Sequence, residues 1–178
     1  MTESLTTGRL LLRRWCDADR QPFQKLNADP QVMEFMPRQL SPEDSDAMIV
    51  RIEQHFDRHG FGLFAAELIA EKAFVGFIGL SVPAFDAPFM PAVEIGWRLA
   101  AGYWGQGLAT EGARAVVRHA FETAGLTSLV SFTVPQNLRS RRVMEKLGMV
   151  HDPSDDFDHP RLPEGHPLRR HLLYRLHR

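Results

Sequence analysis

Trp104-Gly105-Gln106-Gly107-Leu108-Ala109-Thr110-Glu111 decides how this chain folds. It follows a strand-like run, Ala92-Val93-Glu94-Ile95-Gly96-Trp97-Arg98-Leu99, and it opens a helix-like run from Thr110 to Ala124. A glycine turn entering a helix leaves backbone N–H groups without carbonyl partners, and the helix dipole adds partial positive charge. Together these favour a phosphate, and the two glycines let a ligand approach the main chain closely. The first expectation is therefore a phosphate-bearing cofactor bound in the middle of the chain.

Outward from this turn, the periodicity alternates between strands and helices. Toward the N-terminus, residues 74–82 and 61–69 read as a hairpin about Glu71-Lys72. Before them, Ser41-Pro42-Glu43-Asp44 is a helix start, with Ser as N-cap, Pro in the first turn and acids at the positive end. Met48, Ile52 and Phe56 continue that helix until His59-Gly60. Residues 9–15 read as a first strand, and Asp17 or Asp19 as the cap of a short helix carrying Phe23 and Leu26. Toward the C-terminus, Ala113, Val116, Val117, Ala120 and Phe121 form one apolar helix face, closed by Gly125. A strand over 129–134 and a helix over 138–147 follow, the helix closed by Gly148. A polar, Pro-rich loop then spans 151–167, before a last strand over 168–176. Pro83 to Pro91 is a second long loop, whose Phe85, Phe89 and Met90 form an apolar lip or pack on the core. The order predicts a mixed α/β domain occupying residues 1–178, without repeats or linkers.

Composition excludes several classes. Hydrophobic content of 44% and charged content of 24% are those of a soluble globular domain. A net charge of −1 argues against a dedicated nucleic-acid binder. No apolar run approaches a membrane span, and Met1-Thr2-Glu3-Ser4 lacks a basic-then-apolar leader, so a cytoplasmic protein is expected. The single cysteine, Cys16, excludes an internal disulfide and reads as a small core or edge residue beside Trp15. His151, His159, His166 and His171 are scattered through a Pro-rich segment without metal-ligand spacing, so no metal is expected. Asp155, Asp156, Asp158 and His159 form either a solvated acidic loop or the lining of a pocket for an ammonium group.

Several ligands fit a glycine turn. A P-loop requires a Lys-Ser/Thr pair that is missing here. A dinucleotide fingerprint requires a third glycine where Thr110 stands, and an acid near Val134. Coenzyme A, whose pyrophosphate would sit on the turn, is the third reading. Three blocks in order support it: residues 92–99, residues 103–111, and Asn137-Leu138-Arg139-Ser140-Arg141-Arg142-Val143-Met144-Glu145-Lys146-Leu147-Gly148-Met149. With these blocks the chain resembles the GNAT N-acetyltransferase superfamily, and within it the branch of RimJ/RimL-type N-terminal acetyltransferases, from about Arg9 to Tyr174.

The resemblance implies a mixed, mainly antiparallel sheet of six or seven strands with flanking helices, in which two central strands splay apart around the acyl-CoA. It implies acetyl transfer from acetyl-CoA to a primary amine, by direct attack in a ternary complex. The cofactor-binding residues it implies are Trp97, Arg98, Leu99, Trp104, Gly105, Gln106, Gly107, Leu108, Ala109, Thr110, Asn137, Ser140 and Arg142. Asn137 would contact the pantetheine arm, and also reads as a helix cap. Ser140 matches a serine of the RimJ/RimL-type pattern that would donate a proton to, or bond, the sulfur. Two positions depart from the superfamily pattern: Gly102 stands where Gln or Arg is usual, and Met144 where many members carry a tyrosine acid. A thiol pKa near ~8.5 makes the thiolate a tolerable leaving group without that tyrosine.

Glu94, on a strand among apolar neighbours, is the general-base candidate, because burial raises a carboxyl pKa toward a useful range. A backbone N–H of residues 97–99 would meet the developing oxyanion. Glu111 is a weaker base candidate, since an acid in a first helical turn serves the dipole. Arg114, Arg118, Arg139, Arg141 and Arg142 read as solvated helix faces from which one or two meet CoA phosphates. An α-amine titrates near ~8 and a lysine amine near ~10.4, so neutralising lysine at pH 7 costs roughly 3 kcal/mol more. Peptide N-termini or small amines are therefore the expected acceptors, served by a monomer or homodimer. A non-catalytic acyl-CoA sensor is the alternative that the missing tyrosine keeps open.

Overall fold

The computed structural model describes residues 4–178, and the leader reading of residues 1–3 lies outside them. Nine strands and four helices are found among the described residues: β1 (Ser4–Thr6), β2 (Leu10–Arg13), α1 (Arg20–Ala28), α2 (Pro42–His59), β3 (Leu63–Leu68), β4 (Ala73–Ser81), β5 (Glu94–Leu99), α3 (Leu108–Glu122), β6 (Ser128–Thr133), α4 (Leu138–Lys146), β7 (Val150–His151), β8 (Phe157–Asp158) and β9 (Arg170–His177). The sheet runs β1-β2-β3-β4-β5-β6-β9-β7, with β8 also on β9. Every pairing is antiparallel except β5 with β6.

Strand alternation sets which helix lies on which face. Phe77 of β4 packs on Phe23 of α1, with ring centroids 6.1 Å apart. Its neighbour Ile78 points the other way, under α3. There Gly112 lets the helix descend: a Cβ at that position would overlap Ile78 Cδ1. Leu10, Leu12, Ile78, Leu80, Ile95, Leu108 and Val116 join one buried core. A smaller core of Phe89, Val130, Phe157 and Leu173 holds the 83–91 loop, with Phe85 and Met90 packed on it. The apolar lip is thus internal packing.

Local signals predict most boundaries. Ser41 Oγ accepts the Asp44 N–H at 3.1 Å, Pro42 opens α2, and Gly60 closes it at φ 76°. The differences lie where long-range partners decide. The first strand is Leu10–Arg13 rather than 9–15, and β1 pairs alongside it. Neither Asp17 nor Asp19 caps α1 by a side-chain bond. The buried Asp19 carboxylate instead grips Arg13 at 2.7 and 2.9 Å, since an enclosed charge needs a partner more than a helix end needs a cap. Cys16 is exposed, an edge and not a core residue. The 151–167 stretch is not all loop: β7 and β8 pair there with β9, and together with β1 they bring the strands to nine rather than six or seven. No helix among the described residues is long and apolar enough to cross a membrane.

Candidate active site

β5 and β6 touch at one register pair, Glu94 with Val130, where Val130 N–H donates to Val93 O at 2.9 Å. Beyond it the strands part, and the gap opens at their C-terminal ends. The Ala100 N–H turns the opposite way, to Val75 O on the β4 side. In an extended strand successive backbone groups alternate sides. Val93 and Ala100 therefore direct the N–H groups of Trp97 and Leu99 into the gap, where β6 no longer pairs. These are the donors an oxyanion requires.

The glycine turn closes the gap at one end. Gly105 and Gly107 take φ of 73° and 79°, which a side chain would strain, and Gly107 is the N-cap of α3. The first intrahelical bond at this end is Glu111 N–H to Gly107 O, which leaves the N–H groups of Leu108, Ala109 and Thr110 without helical acceptors. A Cβ at Gly105 would enter space free of protein atoms within 4 Å. Trp104 braces the turn by donating Nε1–H to Leu99 O at 2.8 Å. Glu111 braces it from the other side: it accepts from Thr7 Oγ1 at 2.7 Å and Arg9 Nε at 2.7 Å, while Arg9 Nη1 reaches Gln106 O at 3.0 Å. Glu111 is a tether, not a base.

Across the gap, Asn137 caps α4: its Oδ1 accepts the Ser140 N–H at 3.2 Å, and its Nδ2 donates to Thr133 Oγ1 at 3.0 Å. Between these elements lies a cavity of about 390 Å³. Of the expected cofactor residues, Trp97, Arg98, Leu99, Trp104, Gly105, Gly107, Leu108, Ala109, Thr110, Asn137, Ser140 and Arg142 line it. Gln106 does not; its amide turns back to Gly102 O at 3.2 Å. Met144 is fully buried. Arg141 is held by Tyr174 Oη and Pro135 O, away from the cavity.

The lining carries Arg98, Arg139, Arg142 and Lys146 and no carboxylate. Arg139, Arg142 and Lys146 of α4, facing the α3 N-terminus, fit a polyanion such as the phosphates of CoA, while Arg98 enters the lining separately, from β5. Val32, Phe35 and Met36 also line the cavity, from the segment between α1 and α2. Sequence reading passed over this segment, whose only signal was a cluster of apolar residues without periodicity. The segment is fastened across the cavity by Glu34, 3.0 Å from Arg139 Nη2, while the Arg139 guanidinium lies 4.2 Å from the centre of the Trp104 ring.

Glu94 stands outside that lining, at the closed end of the splay. Burial pushes its carboxyl up to about 7, and the Ser81 hydroxyl at 3.4 Å offsets this only in part. A carboxyl poised there can exchange a proton near neutral pH. The acidic loop is committed elsewhere. Asp155 pairs with Arg175 at 2.6 Å, and Asp156 accepts from His151 Nε2 at 2.8 Å. His159 packs 4.6 Å from Phe85 in the second core.

Residues 9–150 match the family model for the acetyltransferase (GNAT) domain. The FsC-acetyl coenzyme A-N(2)-transacetylase of Aspergillus fumigatus is 34% identical over 155 residues, 83% of this chain. The chain spans 65% of that relative's length. The uncharacterized N-acetyltransferase YnaD of Bacillus subtilis is 27% identical over 148 residues, 82% of this chain and 81% of that protein. The crystal structure of an acetyltransferase from Agrobacterium tumefaciens matches at a TM-score of 0.79 with 29% identity, over 100% of this chain and 96% of that one. With the family match running from β2 to β7, the chain belongs to the GNAT acetyltransferase family.

Proposed function

We propose that the protein transfers the acetyl group of acetyl-CoA to a low-pKa primary amine, a peptide N-terminus or a small amine, by direct attack in a ternary complex. The observation that carries this reading is a carboxyl raised to about 7 at the closed end of a splay whose open end is cationic and glycine-turned. Acetyl-CoA supplies an acetyl group already activated as a thioester. The N–H groups of Leu108, Ala109 and Thr110, with Arg142 and Lys146, would hold its phosphates. Asn137 would hold the pantetheine arm, although its amide also serves the α4 cap.

Glu94 takes the proton that the amine loses as its nitrogen bonds to the acetyl carbon, directly or through a water. The Trp97 or Leu99 N–H meets the oxygen that gains charge. The Ser140 hydroxyl gives a proton to the sulfur as the C–S bond breaks and recovers one from solvent. The products are the N-acetyl amine and free CoA thiol.

The preference for an α-amine rests on the cost of deprotonation, about 3 kcal/mol greater for lysine at pH 7. A single carboxyl without a partner base offsets little of that difference. Ser140, three residues after Asn137, supports the RimJ/RimL-type branch. The Aspergillus relative's name places its acetyl transfer on N(2) of FsC, which supports a nitrogen acceptor.

The test is CoA thiol release from acetyl-CoA with N-terminal peptides, internal-lysine peptides, polyamines and aminoglycosides. The expected result is amine-dependent release, faster with free N-termini, that falls at least about 100-fold in Glu94→Gln and is reduced in Ser140→Ala. Faster turnover of internal lysines would overturn the acceptor preference. Acetyl-CoA binding without release on any amine would overturn catalysis in favour of a sensor.

A further inference from the structure

The side chains of Glu94, Gly96 and Arg98 alternate onto one face of β5, opposite Ser81, Gly79 and Phe77 of β4. It is the face covered by α1, because the Arg98 guanidinium lies 5.3 Å from the centre of the Phe77 ring and donates to Asn27 Oδ1 at 2.7 Å. α3 packs on the other face, over Ile78, so its N-terminus and Arg98 line the same cavity from opposite faces of the sheet. Between Glu94 and Arg98 the floor is bare. A Cβ at Gly96 would meet nothing nearer than Glu94 Oε1 at 3.9 Å.

Arg98 differs from most of the other part-buried arginines among the described residues. Arg13, Arg14 and Arg175 each grip a carboxylate at 3.0 Å or less, and Arg169 has Asp158 at 3.6 Å. Arg141, like Arg98, is held by neutral acceptors, but away from the cavity. Among the described residues Arg98 has no carboxylate partner; its hydrogen-bond acceptors are Asn27 Oδ1 and, at 3.2 Å, the weak acceptor Met36 Sδ. Burial without a counter-charge draws its pKa down to about 10. Such a cation is costly to fold unless an anion joins it.

The fold nevertheless aims it. Asn27 is fully buried, and its Nδ2 donates to the buried Ser45 Oγ at 3.1 Å, which fixes Oδ1 toward Arg98. A buried Ser45–Asn27 relay thus holds a guanidinium that also lines the cavity.

We infer that Arg98 is the anion receptor of the acceptor site, and that the acceptor is an amine bearing a carboxylate several bonds from the reacting nitrogen. The inference rests on the acetyl-transfer reading above and names the acceptor class of that site. Glu94 and Arg98 stand four residues apart on one strand, about 13 Å between Cα atoms. An acceptor lying over Gly96 would present its amine to Glu94 and its carboxylate to the fork of Arg98, which matches a carboxylate in two hydrogen bonds.

The experiment pairs two probes, Ala-Glu-Gly amide and Ala-Gln-Gly amide, on the parent, Arg98→Gln and Arg98→Lys. Two readouts are taken: the acceptor kcat/KM from thiol release, and calorimetric binding of each probe to protein saturated with CoA. The parent is expected to favour the acid by roughly 10- to 100-fold, the worth of a charged hydrogen-bonded contact. Arg98→Gln should bring that ratio near one, and Arg98→Lys should retain part of it. A merely structural role would weaken both probes alike and leave the ratio unchanged. Charge-selective binding that Arg98→Gln abolishes, with no thiol release, would sink acetyl transfer and keep the receptor. Thiol release with equal values for both probes, or no binding of the acid, overturns the receptor and leaves acetyl transfer standing.

Discussion

The Ser81 hydroxyl, 3.4 Å from Glu94 Oε2, is the one hydrogen-bond donor to the Glu94 side chain among the described residues. Burial raises the carboxyl to about 7 and this single long bond opposes it. A base must be unprotonated, so kcat should fall as pH drops below about 7, along a limb of one proton. Ser81→Ala removes the opposing bond and should move that limb to higher pH, with the plateau little changed. A limb that stays in place in Ser81→Ala would assign the titration to another group.

The same burial makes Glu94 a liability for folding. Its folded pKa lies above its unfolded value of 4.5, so the folded state binds its proton more tightly. The cost is absent below pH 4.5, grows between pH 4.5 and 7, and is fully present above 7. Glu94→Gln carries no such cost. The variant should be more stable than the parent at pH 8 by on the order of 1–3 kcal/mol, and the difference should shrink toward zero near pH 4.5. Urea unfolding at several pH values reads this directly. A gain independent of pH would mean that packing, not ionisation, separates the two.

Gly112 tests the seat of α3 on the sheet. Helix propensity alone would make Gly112→Ala stabilising by about 1 kcal/mol. A Cβ there, however, would overlap the buried Ile78 Cδ1 and stand 3.2 Å from Leu10 Cδ1. The net effect should be a loss of about 1–2 kcal/mol. Ile78→Val deletes the offending methyl and should rescue Gly112→Ala, with a coupling of at least about 1 kcal/mol in a double-mutant cycle. Additive losses would mean that helix and strand separate rather than clash.

What could be read before the structure was what local chemistry determines. Ser41-Pro42 starts α2, Gly60 ends it, and Gly105 and Gly107 turn the chain into α3, because caps and positive φ angles are properties of a few adjacent residues. Glu94 stood out as a lone acid in an apolar strand, and its burial follows from that strand's central place. β7 and β8 were not legible, because two-residue strands exist only through their partner β9. Asp19 does stand at the N-cap of α1, but its carboxylate makes no cap bond, because Arg13 claims it, and Arg13 comes close only when the 14–18 segment turns. Val32, Phe35 and Met36 carry no periodicity, and only the closure of their segment over the cavity gives them a role.

That closure supplies the remaining prediction. Glu34 and Arg139 are both about half exposed, so their 3.0 Å ion pair contributes at most about 1 kcal/mol to stability. Its effect on cofactor affinity should be larger, because Arg139 lines the cavity while Glu34 neutralises it. Glu34→Gln frees the guanidinium for a phosphate and should lower the KM for acetyl-CoA severalfold. Arg139→Ala removes a cation and its stacking on Trp104, and should raise that KM by roughly 10-fold. The two shifts have opposite signs even though both variants break the same pair. A latch that mattered only for holding the segment closed would give shifts of one sign. Raising salt should shrink both differences, since exposed charges are screened within about 8 Å at 0.15 M.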